Sequence, residues 1–413
     1  MKIMWITNVE LPAVTKYRGE DTVVGGWMDF SSQLLAERTD IELQIFSLTN
    51  AAYEGLLIGN IAYHSFTIEN VDKVINNALN EIQPDVLHIW GSEYVHSLKC
   101  ILAAAKLHYL PRTIVSIQGL VSVYHEHYLL GIPYEVIHHR SIYERLRKNS
   151  LLDQKRKMWE NGENEKQTYS KAINCIGRTE WDYACVKEIN PQIRYYCCNE
   201  ILREGFYKNS WKYENCEKYK IAFSQAHYSI KGLHIILQAM PIIKKFYPQV
   251  KLSIVGSSIF DEKYTFVKRN TYREYLKRLI ADNDLYDNVE WIGQCDEKKM
   301  IAHYLNANVF VSASTIENSS NSIAEAMILG VPVVASDVGG IKSFMLHEKE
   351  GLLYQADAYY MLAYCIIRIF QDRNYAKMLG ENAQRRARQT HDYVKNTDEL
   401  IKIYKNIAEK NDK

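Results

Sequence analysis

The stretch from Ser314 to Gly340 constrains the fold of this chain more than any other part of the sequence. The apolar run Val309–Ser314 leads into it and is typical of a buried parallel strand. A polar loop follows, then good helix formers over Ser322–Leu329 that stop at a glycine, and then a second apolar run, Val333–Ser336. We therefore predict strand, loop, helix and strand in an α/β sheet, with the loop at the edge where such sheets bind ligands.

Two carboxylates bracket the start of this helix, and they allow two interpretations. In the structural one, Asn321 is the N-cap and Ser322-x-x-Glu325 forms a capping box, in which side chains satisfy the first helical amides. In the functional one, Glu317 and Glu325 contact a ligand, and the helix amino terminus holds an anion such as a phosphate. The second interpretation becomes stronger when the whole stretch is considered.

Apolar runs with the length of strands alternate with helical stretches along the whole chain, which predicts parallel, doubly wound sheets. The expected strands of the first half are Lys2–Thr7, Glu42–Leu48, Ile61–Phe66, Val86–Trp90, Thr113–Ile117, Ile173–Gly177 and Ile193–Cys198. Those of the second half are Lys220–Ala226, Val250–Gly256, Val289–Gly293, Val309–Ser314, Val333–Ser336 and Gly351–Tyr354. The polar segment near 200–219 predicts a hinge between the halves.

Glu317 and Glu325 are separated by seven residues, and Glu-Ala-Met-x-x-Gly-x-Pro-Val-Val-Ala-Ser starts at the second. This pattern resembles the signature of retaining glycosyltransferases of the GT-B fold, the group called family 4. The resemblance implies an α/β protein with two doubly wound Rossmann-like domains that face each other across a cleft. It implies an acceptor-side domain at 1–203, a nucleotide-sugar domain at 204–392, and a last helix at about 393–413 that crosses back to the first domain.

The resemblance also implies roles for single residues of the central stretch. Glu317 would meet the transferred sugar, and Glu325 would bind the ribose hydroxyls. The loop and the helix start would hold the diphosphate through their amides; these residues are Asn318, Ser319, Ser320, Asn321 and Ser322. Lys231, before Gly232 at the start of a helix, would contact the same diphosphate, although the Arg that relatives carry about five residues earlier is absent here.

The resemblance implies five further donor-site positions, four of which match the family and one of which, Gln118, departs from it. Gly25 and Gly26 precede a helix, and glycine pairs let a backbone approach a phosphate or sugar closely. Gly256 and Gly293 end two strands of the second half. Gln118 stands where many relatives place a His, and because an amide cannot act as a general base, no base-assisted step is expected there.

Composition excludes several alternatives. The 50 Lys and Arg balance 49 Asp and Glu, so we expect no nucleic-acid partner. Asp282-Asn283-Asp284 has the form of a metal motif but the surroundings of a solvated turn, so we expect no metal site and no cofactor. The donor would be a UDP- or GDP-sugar, and the acceptor a sugar or a lipid-linked sugar. No apolar run of 18 residues occurs, so a cytoplasmic protein is expected.

The segment 138–171 is helical in pattern and rich in basic residues between Arg140 and Trp159. It is either a solvated amphipathic helix or a helix that contacts an anionic membrane surface, which would make the protein peripheral on the inner face. As a whole, the sequence predicts a metal-independent, retaining glycosyltransferase in cell-surface polysaccharide or glycoconjugate assembly. The alternatives are a catalytically silent nucleotide-sugar-binding partner and a GT-B epimerase or phosphorylase.

Overall fold

The computed structural model describes residues 1–20, 25–224, 228–261 and 270–409. The chain forms two compact units. The amino-terminal unit comprises residues 1–123, 160–204 and 391–413, and the carboxyl-terminal unit comprises 124–159 and 205–390. Each unit contains one sheet with helices packed against it, as alternating strands and helices require.

In the described part of the chain, the sheet of the amino-terminal unit has eight strands in the order β3-β4-β2-β1-β5-β6-β7-β8. The strands are β1 Lys2–Thr7, β2 Glu42–Leu48, β3 Leu56–Ile58, β4 Ile61–Phe66, β5 Val86–Trp90, β6 Thr113–Ser116, β7 Asn174–Gly177 and β8 Arg194–Cys197. All pairs are parallel except the one between β3 and β4. The short antiparallel β3 at the edge was not expected from the sequence.

Both faces of this sheet are buried. Alternate residues of each strand point to opposite sides of the sheet, and both sets of side chains contribute to an apolar cluster. Met4 and Ile6 belong to one apolar cluster, and Ile3 and Trp5 belong to the other. The helices of this unit are α1 Pro12–Tyr17, α2 Gly26–Ala36, α3 Val71–Ile82, α4 Val95–Lys106, α5 Val121–Tyr124 (its last residue assigned to the other unit), α9 Glu180–Ile189 and α17 Tyr393–Glu409.

The last helix, α17, packs on the first sheet, as the resemblance implies. Leu400, Ile403, Tyr404 and Ile407 are buried in the cluster that contains Trp5. The Trp5 Nε1–H donates to the Tyr404 hydroxyl over 3.0 Å. The buried His88 ring lies 2.5 Å from the same hydroxyl and 2.6 Å from Ser116 Oγ, so it is a satisfied core histidine.

In the described residues, the sheet of the carboxyl-terminal unit has six parallel strands in the order β11-β10-β9-β12-β13-β14. They are β9 Lys220–Phe223, β10 Lys251–Ile254, β11 Val289–Trp291, β12 Val309–Ser312, β13 Val333–Ser336 and β14 Leu352–Tyr354. The helices are α6 Tyr134–His138, α7 Ile142–Arg147, α8 Leu151–Lys171, α10 Glu204–Tyr207, α11 Leu233–Phe246, α12 Thr271–Asp282, α13 Glu297–Leu305, α14 Asn321–Leu329, α15 Tyr359–Gln371 and α16 Arg373–Thr390. Of α8, residues 151–159 belong to this unit and 160–171 to the other.

Residues 124–159 differ from the expectation in two ways. The resemblance implies that they belong to the first domain, but they pack with the carboxyl-terminal unit. The reason is a set of polar contacts: Ser229 Oγ donates to the Tyr128 carbonyl over 3.1 Å, and His234 Nε2 lies 2.9 Å from the Leu130 carbonyl oxygen. In place of one helix over 138–171, the chain forms α6, α7 and α8.

The helical pattern near the carboxyl terminus is also interrupted. The resemblance implies a last helix that starts at about residue 393, and this start is confirmed, because α16 ends at Thr390 and α17 begins at Tyr393. The break coincides with the point where the chain returns to the amino-terminal unit. Among the described residues, no helix is both long and apolar enough to cross a membrane.

Candidate functional site

The strand order of the carboxyl-terminal unit creates a topological switch point. From β9 the chain proceeds to β10 and β11 on one side, and then returns with β12 to the other side of β9. The segments that follow β9 and β12 therefore diverge at the carboxyl edge of the sheet, where open α/β sheets bind ligands. Lys231 follows β9 and Glu317 follows β12, so the topology places both beside this crevice.

A close backbone approach joins these two segments. Gly232 has a φ of +73°, and a Cβ atom there would lie 1.8 Å from the Ala313 carbonyl oxygen. Any side chain would collide with the end of β12, so this position requires glycine. The Thr315 N–H donates to the Ile230 carbonyl over 2.8 Å. This hydrogen bond holds the loop after β12 next to the loop after β9.

Lys231 and Glu317 form an ion pair, with 2.7 Å between Nζ and Oε2. The Glu317 side chain is only 11% exposed and that of Lys231 is 27% exposed. Ser314 Oγ donates to the same carboxylate oxygen over 3.3 Å. A half-covered ammonium held by one carboxylate is well suited to exchange that partner for an incoming anion, because a phosphate offers several acceptors.

The loop after Glu317 is held by the segment that follows β13. Gly340 N–H donates to the Glu317 carbonyl over 3.0 Å. Gly339 has a φ of +51°, and a Cβ atom there would lie 2.0 Å from the same carbonyl oxygen. Ser336 Oγ donates to the Ser314 carbonyl, which ties β13 to the segment that follows β12. These contacts fix the loop, which makes it a preorganised surface for a ligand.

Helix α14 begins one residue earlier than expected, and its amino terminus has no side-chain cap. Ser320 is the N-cap residue, Asn321 is already helical, and the Ser320 side chain forms no capping hydrogen bond. The structural interpretation, with Asn321 as N-cap and a capping box from Ser322 to Glu325, is therefore wrong. Ser319 lies in the preceding loop, and Ser320 Oγ contacts Ser322 Oγ at 3.0 Å. Uncapped amides and the helix dipole favour an anion at this end.

Glu325 lies in the helix itself and is 7% exposed. Its position within α14 separates it from Glu317, which lies in the loop before the helix. The two carboxylates that the sequence singled out therefore occupy different structural settings, one in a loop with a lysine partner and one in a helix. This separation permits different roles.

Asn318 has a partner that sequence reasoning missed. Its backbone N–H donates to the hydroxyl of Tyr124 over 2.8 Å. We had expected this amide to be available to a diphosphate. Tyr124 lies 194 residues earlier, in the segment that packs with this unit, and nothing in its local sequence indicates such a contact.

Gly256 and Gly293 are brought together after β10 and β11. The Gly256 N–H donates to the Gly293 carbonyl over 2.8 Å, and the two residues form an isolated bridge. Both have positive φ, +115° and +75°. Space for a Cβ atom is open at Gly293. The position of the absent Arg, at 225–227, lies outside the described residues.

Gly25, Gly26 and Gln118 belong to the amino-terminal unit. Gly25 is the N-cap of α2 with a φ of +78°, and a Cβ atom on Gly26 would lie 2.9 Å from Arg203 Cδ. The Gln118 side-chain amide donates to Glu200 Oε1 over 2.7 Å. The sequence analysis had not included Glu200 or Arg203.

Glu200 is itself the centre of a buried polar group beside Gln118. Its other oxygen lies 2.5 Å from Arg178 Nη1, and both side chains are almost completely buried. Arg178 Nη2 also donates to the Ile117 carbonyl over 2.8 Å. The ion pair between Arg178 and Glu200 thus orients the side-chain amide of Gln118. Gln118 stands at the position where many relatives of the resembled family carry a histidine, and an amide does not titrate as a histidine does.

A buried carboxyl group organises the loops that follow β5 and β6. Glu165 of α8 accepts hydrogen bonds from Ser122 N (2.9 Å), Ser122 Oγ (2.6 Å) and Ser92 Oγ (2.8 Å). Burial raises the pKa of this carboxyl to about 7, although the serine hydrogen bonds act in the opposite direction. Among the described residues, no group of three or more His, Cys, Asp or Glu side chains could hold a metal ion.

Comparison with known proteins agrees with this architecture. The model of the family described as glycosyl transferases group 1 matches residues 207–386. The capsular polysaccharide biosynthesis glycosyltransferase CapM of Staphylococcus aureus is 26% identical over 161 residues, which is 38% of this chain and 38% of that protein. The aligned regions span about half the length, or less, of the curated relatives that the chain matches.

Two solved structures resemble the whole chain. Sucrose-phosphate synthase from Thermosynechococcus elongatus has a TM-score of 0.72 at 17% identity, covering 98% of this chain and 99% of its own. Anabaena HepE in complex with UDP has a TM-score of 0.67 at 17% identity, covering 98% and 100%. The expected fold class is confirmed: the chain has the GT-B fold, with two Rossmann-like units.

Proposed function

We propose that this chain, in which residues 207–386 form a glycosyl transferases group 1 domain, transfers a sugar from a nucleoside diphosphate sugar to an acceptor hydroxyl, with retention of configuration. The observation that carries the proposal is the ion pair between Lys231 and Glu317, 2.7 Å long, beside the uncapped amino terminus of α14. A cation, a carboxylate and a helix amino terminus without a side-chain cap, together at a switch point, are the groups that such a donor requires.

The chemical problem is the departure of a charged diphosphate from an oxocarbenium-like sugar. We assign the diphosphate to Lys231, to the amides at the start of α14 and to the preceding loop, which stabilise the developing negative charge. Lys231 exchanges its resting partner Glu317 for a phosphate oxygen. No metal ion and no organic cofactor are needed for this step.

Glu317 is then left beside the sugar, and we assign it to the sugar hydroxyls. Glu325 is assigned to the ribose hydroxyls, since a buried carboxylate forms strong charge-assisted hydrogen bonds with vicinal hydroxyls. The acceptor attacks the face from which the diphosphate leaves. The C–O bond to the diphosphate breaks as the bond to the acceptor oxygen forms, and the departing phosphate oxygen takes the acceptor's proton. No side-chain base is required, which is consistent with Gln118 at the position of the usual histidine.

We propose UDP or GDP as the base-carrying part of the donor. The resemblance to HepE, which was solved with UDP, supports the first of these. The similarity to CapM supports a role in the assembly of a surface polysaccharide, with a sugar or a lipid-linked sugar as acceptor. We expect the enzyme to act in the cytoplasm.

The test separates nucleotide binding from transfer. UDP, GDP and their sugars are screened by calorimetry, and product formation is followed by NMR, which also reports the anomeric configuration. Glu325→Ala should weaken nucleotide binding by about 1–3 kcal/mol, the cost of a lost charge-assisted hydrogen bond. Glu317→Ala should abolish transfer without weakening nucleotide binding, because it frees Lys231 for the phosphate.

The control is Glu350→Ala, which removes another buried carboxylate of the same unit, one that accepts from the Leu346 N–H. This variant should lose thermal stability but keep both nucleotide affinity and turnover. Equal losses of nucleotide affinity in the Glu317 and Glu325 variants would contradict the assigned roles. Nucleotide binding without any turnover would favour the silent partner, and isomerisation of the donor without an acceptor would favour the epimerase.

A further inference from the structure

The segment from Tyr134 to Trp159 has no role in the proposed transfer, yet its composition is unusual. It contains seven Lys and Arg but three Asp and Glu, in a chain whose charges are otherwise balanced. Short helices α6 and α7 and the start of α8 make up this segment. The arrangement of α7 decides where its charges and apolar side chains point.

One side of α7 is anchored by Glu144, which is fully buried. Its carboxylate accepts hydrogen bonds from Thr271 N (2.9 Å) and Thr271 Oγ1 (2.5 Å) at the start of α12. The same carboxylate accepts from Ser141 N over 2.9 Å and completes a capping box for α7. A single side chain therefore fixes both the start of α7 and its attachment to the carboxyl-terminal unit.

The opposite side of α7 is apolar and exposed. Ile142 and Leu146 are four residues apart and so lie on one face of the helix, about half a turn from Glu144. Ile142 is 78% exposed and Leu146 is 80% exposed. A helix attached through a buried glutamate and presenting two adjacent aliphatic side chains outward is typical of a surface that contacts a partner.

Three exposed cations lie on α7 or directly follow it. Arg145, Arg147 and Lys148 are exposed, and within the described part of the chain none of them forms an ion pair. Glu144, the acidic residue of the helix, is turned inward, so its charge does not neutralise the exposed side. We call Ile142, Arg145, Leu146, Arg147 and Lys148 the α7 surface.

We propose that the α7 surface docks on an anionic lipid membrane. Aliphatic side chains that enter the headgroup region, beside cations that form no ion pair with the described residues, complement a negatively charged interface. A nucleic acid would match the cations but not the exposed aliphatic pair. This inference does not depend on the proposed transfer reaction, because the α7 surface includes none of the residues assigned to the donor.

The test is sedimentation of the full-length protein with vesicles of phosphatidylcholine, with and without phosphatidylglycerol, at low and high salt. The wild type should pellet with the mixed vesicles at low salt, and salt should release it, because exposed charges are screened. Charge reversal of Arg145, Arg147 and Lys148 to Glu should weaken this binding at least about 100-fold, since each cation near an anionic surface contributes about five-fold. Leu146→Gln should weaken binding with the charges intact.

Two matched controls keep the result specific. Reversal of Lys212, Lys218 and Lys245, three exposed lysines of the same unit, changes the net charge equally and should leave binding nearly unchanged. Leu57→Gln removes another exposed leucine, 67% exposed, in the amino-terminal unit, and should also be silent. Thermal unfolding measured in parallel should give the same midpoint in all variants and reports that they are folded.

Three outcomes would overturn the proposal. The wild type could bind neutral and mixed vesicles equally. The two triple reversals could have equal effects, which would indicate attraction by net charge alone. Analytical ultracentrifugation without lipid could show a dimer that Leu146→Gln dissociates, which would assign the α7 surface to a second copy of the chain.

Discussion

The backbone N–H of Asn318 donates a hydrogen bond to the hydroxyl of Tyr124 over 2.8 Å. Asn318 directly follows Glu317 in the loop that we assign to the donor, whereas Tyr124 begins the segment of 124–159 that packs with the carboxyl-terminal unit. The Tyr124 hydroxyl accepts the hydrogen bond that the Asn318 amide would otherwise donate to the diphosphate. A donor that binds this amide must therefore displace Tyr124.

We predict that Tyr124→Phe binds a nucleoside diphosphate more tightly than the wild type, by about five-fold. The reason is that the competing hydrogen bond is worth about 1 kcal/mol. Calorimetric titration with UDP and GDP measures the change. Tyr128→Phe is the matched control, because its hydroxyl donates instead to Gln154 Oε1 over 2.7 Å, and this variant should not alter affinity. Weaker binding in Tyr124→Phe alone would mean that the hydroxyl itself contacts the nucleotide.

A second prediction concerns the close approach at Gly232. Gly232→Ala should destabilise the protein by about 3–5 kcal/mol, because the methyl group would overlap the Ala313 carbonyl and displace Lys231 from its loop. Gly293→Ala has the same sign of φ but open space, so it should cost only about 1–2 kcal/mol, the strain of a left-handed residue. Denaturant unfolding of both variants gives the comparison, and equal losses would show that the contact with Ala313 can relax.

Metal independence is the third prediction. Charge on the leaving diphosphate is assigned to Lys231 and to α14, so turnover should survive treatment with a chelator. Asp282→Ala together with Asp284→Ala should be nearly silent, because Asp284 stands in a turn with a φ of +49° and its side chain is 94% exposed. Loss of turnover on chelation, restored by Mg²⁺ or Mn²⁺, would contradict the assignment.

The fourth prediction is a pH dependence of stability that originates at Glu165. The pKa of its carboxyl is about 7 in the folded protein, above the ordinary value of 4.5. The folded chain therefore keeps a proton that the unfolded chain releases between these values, and the free energy of unfolding falls as the pH rises from about 4.5 to about 7. The loss levels off above that range, at about 3 kcal/mol.

Glu165→Gln removes this titration while keeping a side-chain oxygen for the Ser122 donors. The variant should gain stability relative to the wild type as the pH rises from about 5 to about 8. Urea unfolding of the two proteins at a series of pH values measures the difference. A difference that does not change with pH would show that Glu165 is ionised in the folded protein at every pH tested.

Much of the architecture could be predicted from the sequence, because strands that are buried on both faces are continuous apolar runs. β1, β5 and β13 lie where the pattern predicts them, and α17 docks through the expected apolar face, including Leu400 and Tyr404. The short β3 was missed, since three residues with half-exposed side chains carry no pattern. The start of the last helix near residue 393 was predicted, and α17 begins at Tyr393.

At the candidate site, the residue types and their order along the chain could be recognised from local sequence patterns. Lys231 before Gly232, and Glu317 and Glu325 on either side of a helix start, are local patterns with a local cause. The sequence also shows that glycine follows the lysine at position 232. It does not show why glycine is required there, because the Ala313 carbonyl that excludes a side chain is distant along the chain.

Which of these groups come into contact depends on the folded chain. Lys231 and Glu317 are 86 residues apart, and Tyr124 and Asn318 are 194 apart. Contacts at such separations depend on strand order and on the packing of whole segments, which leave no signature in the neighbouring residues. The membership of residues 124–159 in the carboxyl-terminal unit was hidden for the same reason, because it rests on buried polar partners such as Glu144 and Thr271 rather than on the helical pattern of the segment itself.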